Sequence, residues 1–90
     1  MSSIWNEQDF ETLFEACGGK NNILDVENCT TRLRIGLKNT EVDGKCLYSK
    51  EKLGTLPGVK LVLVRGESIQ LVVGLDVFSL KKECKVRLGK

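Results

Sequence analysis

The sequence predicts an α+β open-faced sandwich, a four-stranded antiparallel sheet with three helices on one face, in the order α-β-β-α-β-β-α over a single domain, residues 1–90. Three observations carry this. Residues 31–38 alternate strictly: Thr31, Leu33, Ile35 and Leu37 on one side, Arg32, Arg34, Gly36 and Lys38 on the other. Two apolar runs, 59–65 and 68–73, flank Gly66-Glu67, which reads as a two-residue hairpin connection. Phe10, Leu13, Phe14 and Cys17 recur at i, i+3, i+4, i+7, one stripe of a helix.

Each element follows from local chemistry. The spacing predicts a helix over 6–18, with Asn6 as cap, Glu7 and Asp9 at its positive end and Gly18-Gly19 as its stop. Residues 22–28 and 31–37 read as two strands joined around Cys29-Thr30. Asn39 to Gly44 is polar and turn-like. Leu47, Lys50, Glu51 and Leu53 suggest a short helix ending at Gly54, capped by Ser49 or Asp43. Leu56-Pro57-Gly58 is a turn into the hairpin. A last helix over 76–87, capped by Asp76, places Val77, Leu80 and Cys84 inward and Lys81, Lys82, Lys85 and Arg87 outward as a solvated end.

Composition excludes several classes of function. A net charge of +2 from 14 basic and 12 acidic residues disfavours a general nucleic-acid binder. The apolar fraction of 41% argues against disorder. No apolar run approaches the roughly 18 residues of a membrane span, and Met1 to Glu7 does not resemble a signal peptide. The absence of histidine removes every mechanism that uses this chain's own imidazole. Cys17, Cys29, Cys46 and Cys84 form no CxxC pair, so no metal site is expected, and they read as free thiols in a reducing compartment.

The residues richest in chemistry are Asn28-Cys29-Thr30-Thr31-Arg32-Leu33-Arg34. A thiol in a strand-to-strand turn lies beside two hydroxyls and two guanidinium groups. Cations and turn N–H groups stabilise a thiolate, and the same groups suit phosphoryl oxygens. The plain alternative is a structural cysteine and a solvated pair of arginines. A tyrosine-phosphatase C-x5-R pattern would need arginine at position 35, where Ile35 stands. Gln70 alternates with Ile69 and Leu71 and so shares the open face with the arginines, as a docking residue or an ordinary solvent-facing one. Asp25 and Glu27 share the face of Cys29 and read as a counterweight or docking feature. Cys46 and Cys84, without a basic cluster, read as structural, and Cys17 as a small core hydrophobe.

The hexapeptide Cys29-Thr30-Thr31-Arg32-Leu33-Arg34 resembles the C-x-T-R-L-R signature of enzyme IIB domains of the bacterial phosphoenolpyruvate-dependent sugar phosphotransferase system, glucose and glucoside branch. Gly18-Gly19-Lys20-Asn21-Asn22-Ile23 is similar to that family's GGxxNI, Leu56-Pro57-Gly58-Val59 to its LPGV and Gln70-Leu71-Val72-Val73-Gly74 to its QxVxG. The resemblance runs over about residues 12 to 80. It implies a cytoplasmic phosphocarrier, monomeric in isolation, with no cofactor and no metal. Enzyme IIA would hand a phosphoryl group from its own histidine to Cys29. Cys29 would pass it to a sugar held by the membrane transporter, enzyme IIC. Arg32 and Arg34 would meet the travelling charge, and Thr30 and Thr31 would donate to the phosphate. The alternative is a small regulatory domain that uses Arg32 and Arg34 to hold an anion or single-stranded nucleic acid. Against its nucleic-acid form, Trp5, Phe10, Phe14, Tyr48 and Phe78 all fall on helices or a loop, and none on the arginine face.

Overall fold

Helix α1 (Glu7–Ala16) begins in a capping box: Asp9 N–H donates to Asn6 Oδ1 at 2.8 Å, and Asn6 N–H donates to Asp9 Oδ2 at 2.9 Å. In this computed structural model, which describes residues 4–90, the helix buries Phe10, Leu13, Phe14 and Ala16 as the periodicity predicts. Residues 1–3, the start of the segment expected not to be a signal peptide, lie outside the described residues. Gly18 and Gly19 end the helix with φ of +94° and +99°. A Cβ on Gly18 would fall 2.7 Å from Asn22 Nδ2. Glycine there makes room for the buried Asn22 side chain. Its Nδ2 donates to the carbonyls of Cys17 and Asn39, and its Oδ1 accepts from Asn39 N–H. One amide thus ties the exit of the first helix to the exit of the second strand.

Strands β1 (Ile23–Asn28) and β2 (Arg32–Leu37) pair antiparallel, with Val26 opposite Ile35 and Glu27 opposite Arg34. A register shift between Ile23 and Asp25 lets Ile23 and Val26, three residues apart, both face the core. The polar stretch after β2 is more ordered than a turn. It forms a two-stranded ribbon, β3 (Glu41–Val42) and β4 (Lys45–Cys46). Asp43 and Gly44 connect them, both at positive φ, as a two-residue turn of this hand requires.

Helix α2 (Lys50–Gly54) is capped by Ser49 rather than Asp43, with Ser49 Oγ accepting from Lys52 N–H at 3.2 Å. It buries Leu53. Strands β5 (Leu61–Arg65) and β6 (Ser68–Val72) form the expected hairpin, with Gly66 at φ +57°. The sheet order is β1-β2-β6-β5, all antiparallel.

Helix α3 (Val77–Leu88) buries Val77, Leu80 and Cys84 as expected. Two expectations for it fail. Asp76 makes no capping bond: the 3-10 turn Gly74–Asp76 runs straight into the helix and already holds Asp76 in helical conformation (φ −76°, ψ −3°). An N-cap side chain reaches the next turn from an extended backbone, which Asp76 lacks. Nor is Arg87 simply solvated: its side chain is only partly exposed. It follows Cys84 by three residues, on the shoulder of the buried stripe, and lays its guanidinium 4.5 Å over the Phe10 ring while pairing with Glu83. Gly89, at φ +76°, closes the helix.

The three helices cover one face of the sheet. Leu33, Ile35, Leu37, Ile69 and Leu71 point into that layer and are almost wholly buried. The opposite face is open, and it carries the polar partners of the same alternation.

Candidate functional site

Cys29 follows the last residue of β1, and Arg32 opens β2. Cys29 N–H donates to the Arg32 carbonyl at 2.9 Å, so the connection is a tight reversal. Asn28 Nδ2 donates to the Cys29 carbonyl at 2.9 Å. The Thr31 carbonyl accepts from both Val73 and Gly74 N–H, at 3.0 and 3.1 Å, which fastens the turn to the end of β6. Cys29 and Thr30 are exposed, and Thr31 is half-buried rather than a core residue. Among the described residues no backbone carbonyl accepts from the N–H of Thr30 or Thr31. Neither donor is committed to a backbone acceptor, the condition an anion-binding turn requires.

The alternation of β2 sends Arg32 and Arg34 to the open face. Arg34 Nη1 lies 4.0 Å from Cys29 Sγ. Arg32 Nη1 donates to Gln70 Oε1 at 3.0 Å, across to β6. The structure thus gathers Cys29, Arg32, Arg34 and Gln70, predicted from one strand pattern and one hairpin, at one end of the open face. A thiol, two guanidinium groups and unclaimed backbone donors can hold a doubly charged phosphoryl group and neutralise it.

Next to this cluster is a shallow depression of about 240 Å³, lined by Asp25, Glu27, Arg34, Gly36 and Ser68. A Cβ on Gly36 would fall 2.7 Å from Asp25 Oδ1, so the carboxylate of Asp25 lies over the glycine. The sequence reading missed how Glu27 is held. Lys85 Nζ is 3.2 Å from its Oε2 and Lys81 Nζ is 3.9 Å from its Oε1. These lysines are not simply a solvated helix end. Their spacing of four residues stacks them on one row of α3 but does not name their partner.

The other thiols separate cleanly from Cys29. Cys17 and Cys84 are buried among apolar groups, and that burial pushes each thiol up to about 12. Cys46 is exposed on the β3–β4 ribbon, where its Sγ donates to the Tyr48 carbonyl at 3.2 Å; it fills no core position. Among the described residues no group of three or more His, Cys, Asp or Glu could hold a metal ion. Among the described residues no helix is long and apolar enough to cross a membrane.

The family described as phosphotransferase system, EIIB matches residues 11–42, which include β1, the Cys29 turn and β2. An alpha-glucoside-specific EIICB component of the same system from Fusobacterium mortiferum is 39% identical over 67 residues, covering 74% of this chain and 12% of that protein. An N-acetylmuramic acid-specific EIIBC component from Pasteurella multocida is 38% identical over 74 residues, covering 82% and 14%. The chain therefore spans less than a sixth of the length of these relatives. A solved structure of one domain of the IIabc component from Clostridium difficile superposes with a TM-score of 0.71 at 22% identity, over 91% of this chain and 80% of that one. That likeness concerns the fold.

Proposed function

Because the chain belongs to the enzyme IIB family of the sugar phosphotransferase system, glucose branch, we propose that it is a phosphocarrier working through Cys29. The observation that carries the reading is the exposed Cys29 thiol in a tight turn with the Arg34 guanidinium 4.0 Å from its sulfur.

The first step joins Cys29 Sγ to the phosphorus of a phosphohistidine on enzyme IIA. The S–P bond forms as the N–P bond breaks, and the thiol proton leaves with the histidine. In the second step a hydroxyl of a sugar bound to the membrane transporter, enzyme IIC, attacks the same phosphorus. The O–P bond forms and the S–P bond breaks, and net passage of the hydroxyl proton to the departing sulfur restores the Cys29 thiol. Both steps ask mainly for positioning and for charge stabilisation at the oxygens, which Arg32, Arg34 and the N–H groups of Thr30 and Thr31 supply. The reading places the domain on the cytoplasmic side of the membrane, as a monomer that makes brief contacts with its two protein partners. The open face carries none of the aromatic residues, so it offers no platform for base stacking and no support for a nucleic-acid ligand.

Cys29→Ser tests the reading. Serine is close in shape and the site is exposed, so thermal melts should overlay those of wild type. Its alcohol is a far weaker nucleophile near neutral pH, so sugar phosphorylation in the reconstituted relay should stop. A serine variant that supports the wild-type rate would contradict a phosphocysteine intermediate.

A further inference from the structure

Arg34 has competing acceptors on the open face, and most are already engaged. Its cross-strand neighbour on β6 is Gln70, whose Oε1 accepts from Arg32. Its cross-strand neighbour on β1 is Glu27, and both line the same depression. Side chains directly opposed in an antiparallel pair start about 5 Å apart at Cβ, close enough for a carboxylate to take a guanidinium in a two-pronged bond. Glu27 does not do so here. Its carboxylate reaches over the sheet edge to Lys85 at 3.2 Å and Lys81 at 3.9 Å, while Arg34 points its Nη1 at Cys29 Sγ. The other nearby carboxylate, Asp25, is opposite Gly36 and lies over it.

Partly exposed ion pairs add little to stability. What this lysine pair does change is which group remains free to bind Arg34. We propose that Lys81 and Lys85 are positioning residues for Arg34: by occupying Glu27 they keep its carboxylate from capturing the guanidinium, which stays aimed at the sulfur of Cys29. The purpose of that aim rests on Cys29 being the carrier, but the geometry can be tested without phosphate.

Two alkylating probes read the local charge. Iodoacetate is an anion and iodoacetamide is neutral, and both consume the same thiolate. The ratio of their rate constants at Cys29, followed by peptide mass, therefore reports a cation near the sulfur. Cys46 in the same sample serves as the internal reference. Lys81→Met with Lys85→Met should lower the Cys29 ratio by about fivefold, the effect of one unit charge near 4 Å through water. Adding Glu27→Gln should restore it, because the competing carboxylate is gone. In an Arg34→Gln background the same lysine changes should move the ratio by less than about twofold, since no guanidinium remains to be diverted. An unchanged ratio in the lysine double variant would overturn the proposal. So would an equal fall in the Arg34→Gln background, or a fall that Glu27→Gln does not reverse. Loading with phosphorylated enzyme IIA is measured separately. No loading of wild type, with the alkylation ratios behaving as described, would remove the carrier reading and leave the positioning intact.

Discussion

At the scale of single residues, the two arginines of β2 have different surroundings and should behave differently. Arg34 faces Cys29 Sγ, whereas Arg32 is held by Gln70. Lysine keeps the charge of either but loses the planar fork. Arg34→Lys should slow onward transfer from Cys29 by on the order of a hundredfold, the usual cost of one charged donor to a transferring oxygen. Loading should suffer less, because the turn N–H groups remain. Arg32→Lys should have the smaller effect on discharge. Single-turnover kinetics that follow loading and discharge separately will check both, and equal wild-type discharge in the two variants would make the arginines a solvated face. Three members of this cluster were legible because each rests on a period, Arg32 and Arg34 on the alternation of β2 and Gln70 on that of β6, while Cys29 was read from the turn between two strands. Glu27 was placed on the correct face, but its pairing with Lys81 and Lys85 was not legible. That contact depends on where α3 crosses the sheet edge, which no local pattern encodes. The exposure of Cys46 was missed for a similar reason, since it follows from the β3–β4 ribbon.

At the scale of elements, helix termini provide a matched pair of tests. Asn6 satisfies a capping box on α1, while Asp76 precedes α3 without a capping bond. Asn6→Ala should cost about 1 kcal/mol, and Asp76→Ala should stay within about 0.5 kcal/mol of wild type; urea melts at neutral pH measure both. A comparable loss at Asp76 would mean that its side chain does cap. Both residues have cap chemistry in sequence, so the sequence alone could not tell them apart. The difference lies in the 3-10 turn before α3, which fixes Asp76 in helical conformation. The strands were easier to read because β2 and the β5–β6 hairpin carry strong alternation or tight turns. The β3–β4 ribbon escaped because each strand is two residues long, too short for a period to register, although Asp43-Gly44 is itself a hairpin signal.

At the scale of the whole molecule, the layer between helices and sheet buries two thiols, and this links stability to pH. Burial raises Cys17 and Cys84 from 9.0 to about 12. The unfolded chain therefore gives up these protons at lower pH than the folded one, so stability is complete below about pH 9 and is lost as pH rises toward 12. Each thiol should contribute a slope of on the order of 1 kcal/mol per pH unit in that window. Cys17→Ala should lower stability at neutral pH by leaving a small cavity, yet flatten the decline above pH 9, as melts across a pH series will show. An unaltered slope would mean that Cys17 is not shielded from water in solution. The same layer packs against β1 and β2, whose shared end carries the Cys29 turn, and on that placement the phosphocarrier reading depends. Its most direct test is the mass of the intact protein after incubation with phosphorylated enzyme IIA, followed by peptide mapping. One added phosphoryl group is expected, on the peptide that contains Cys29. No added mass, or a phosphoryl group on any other residue, would contradict it.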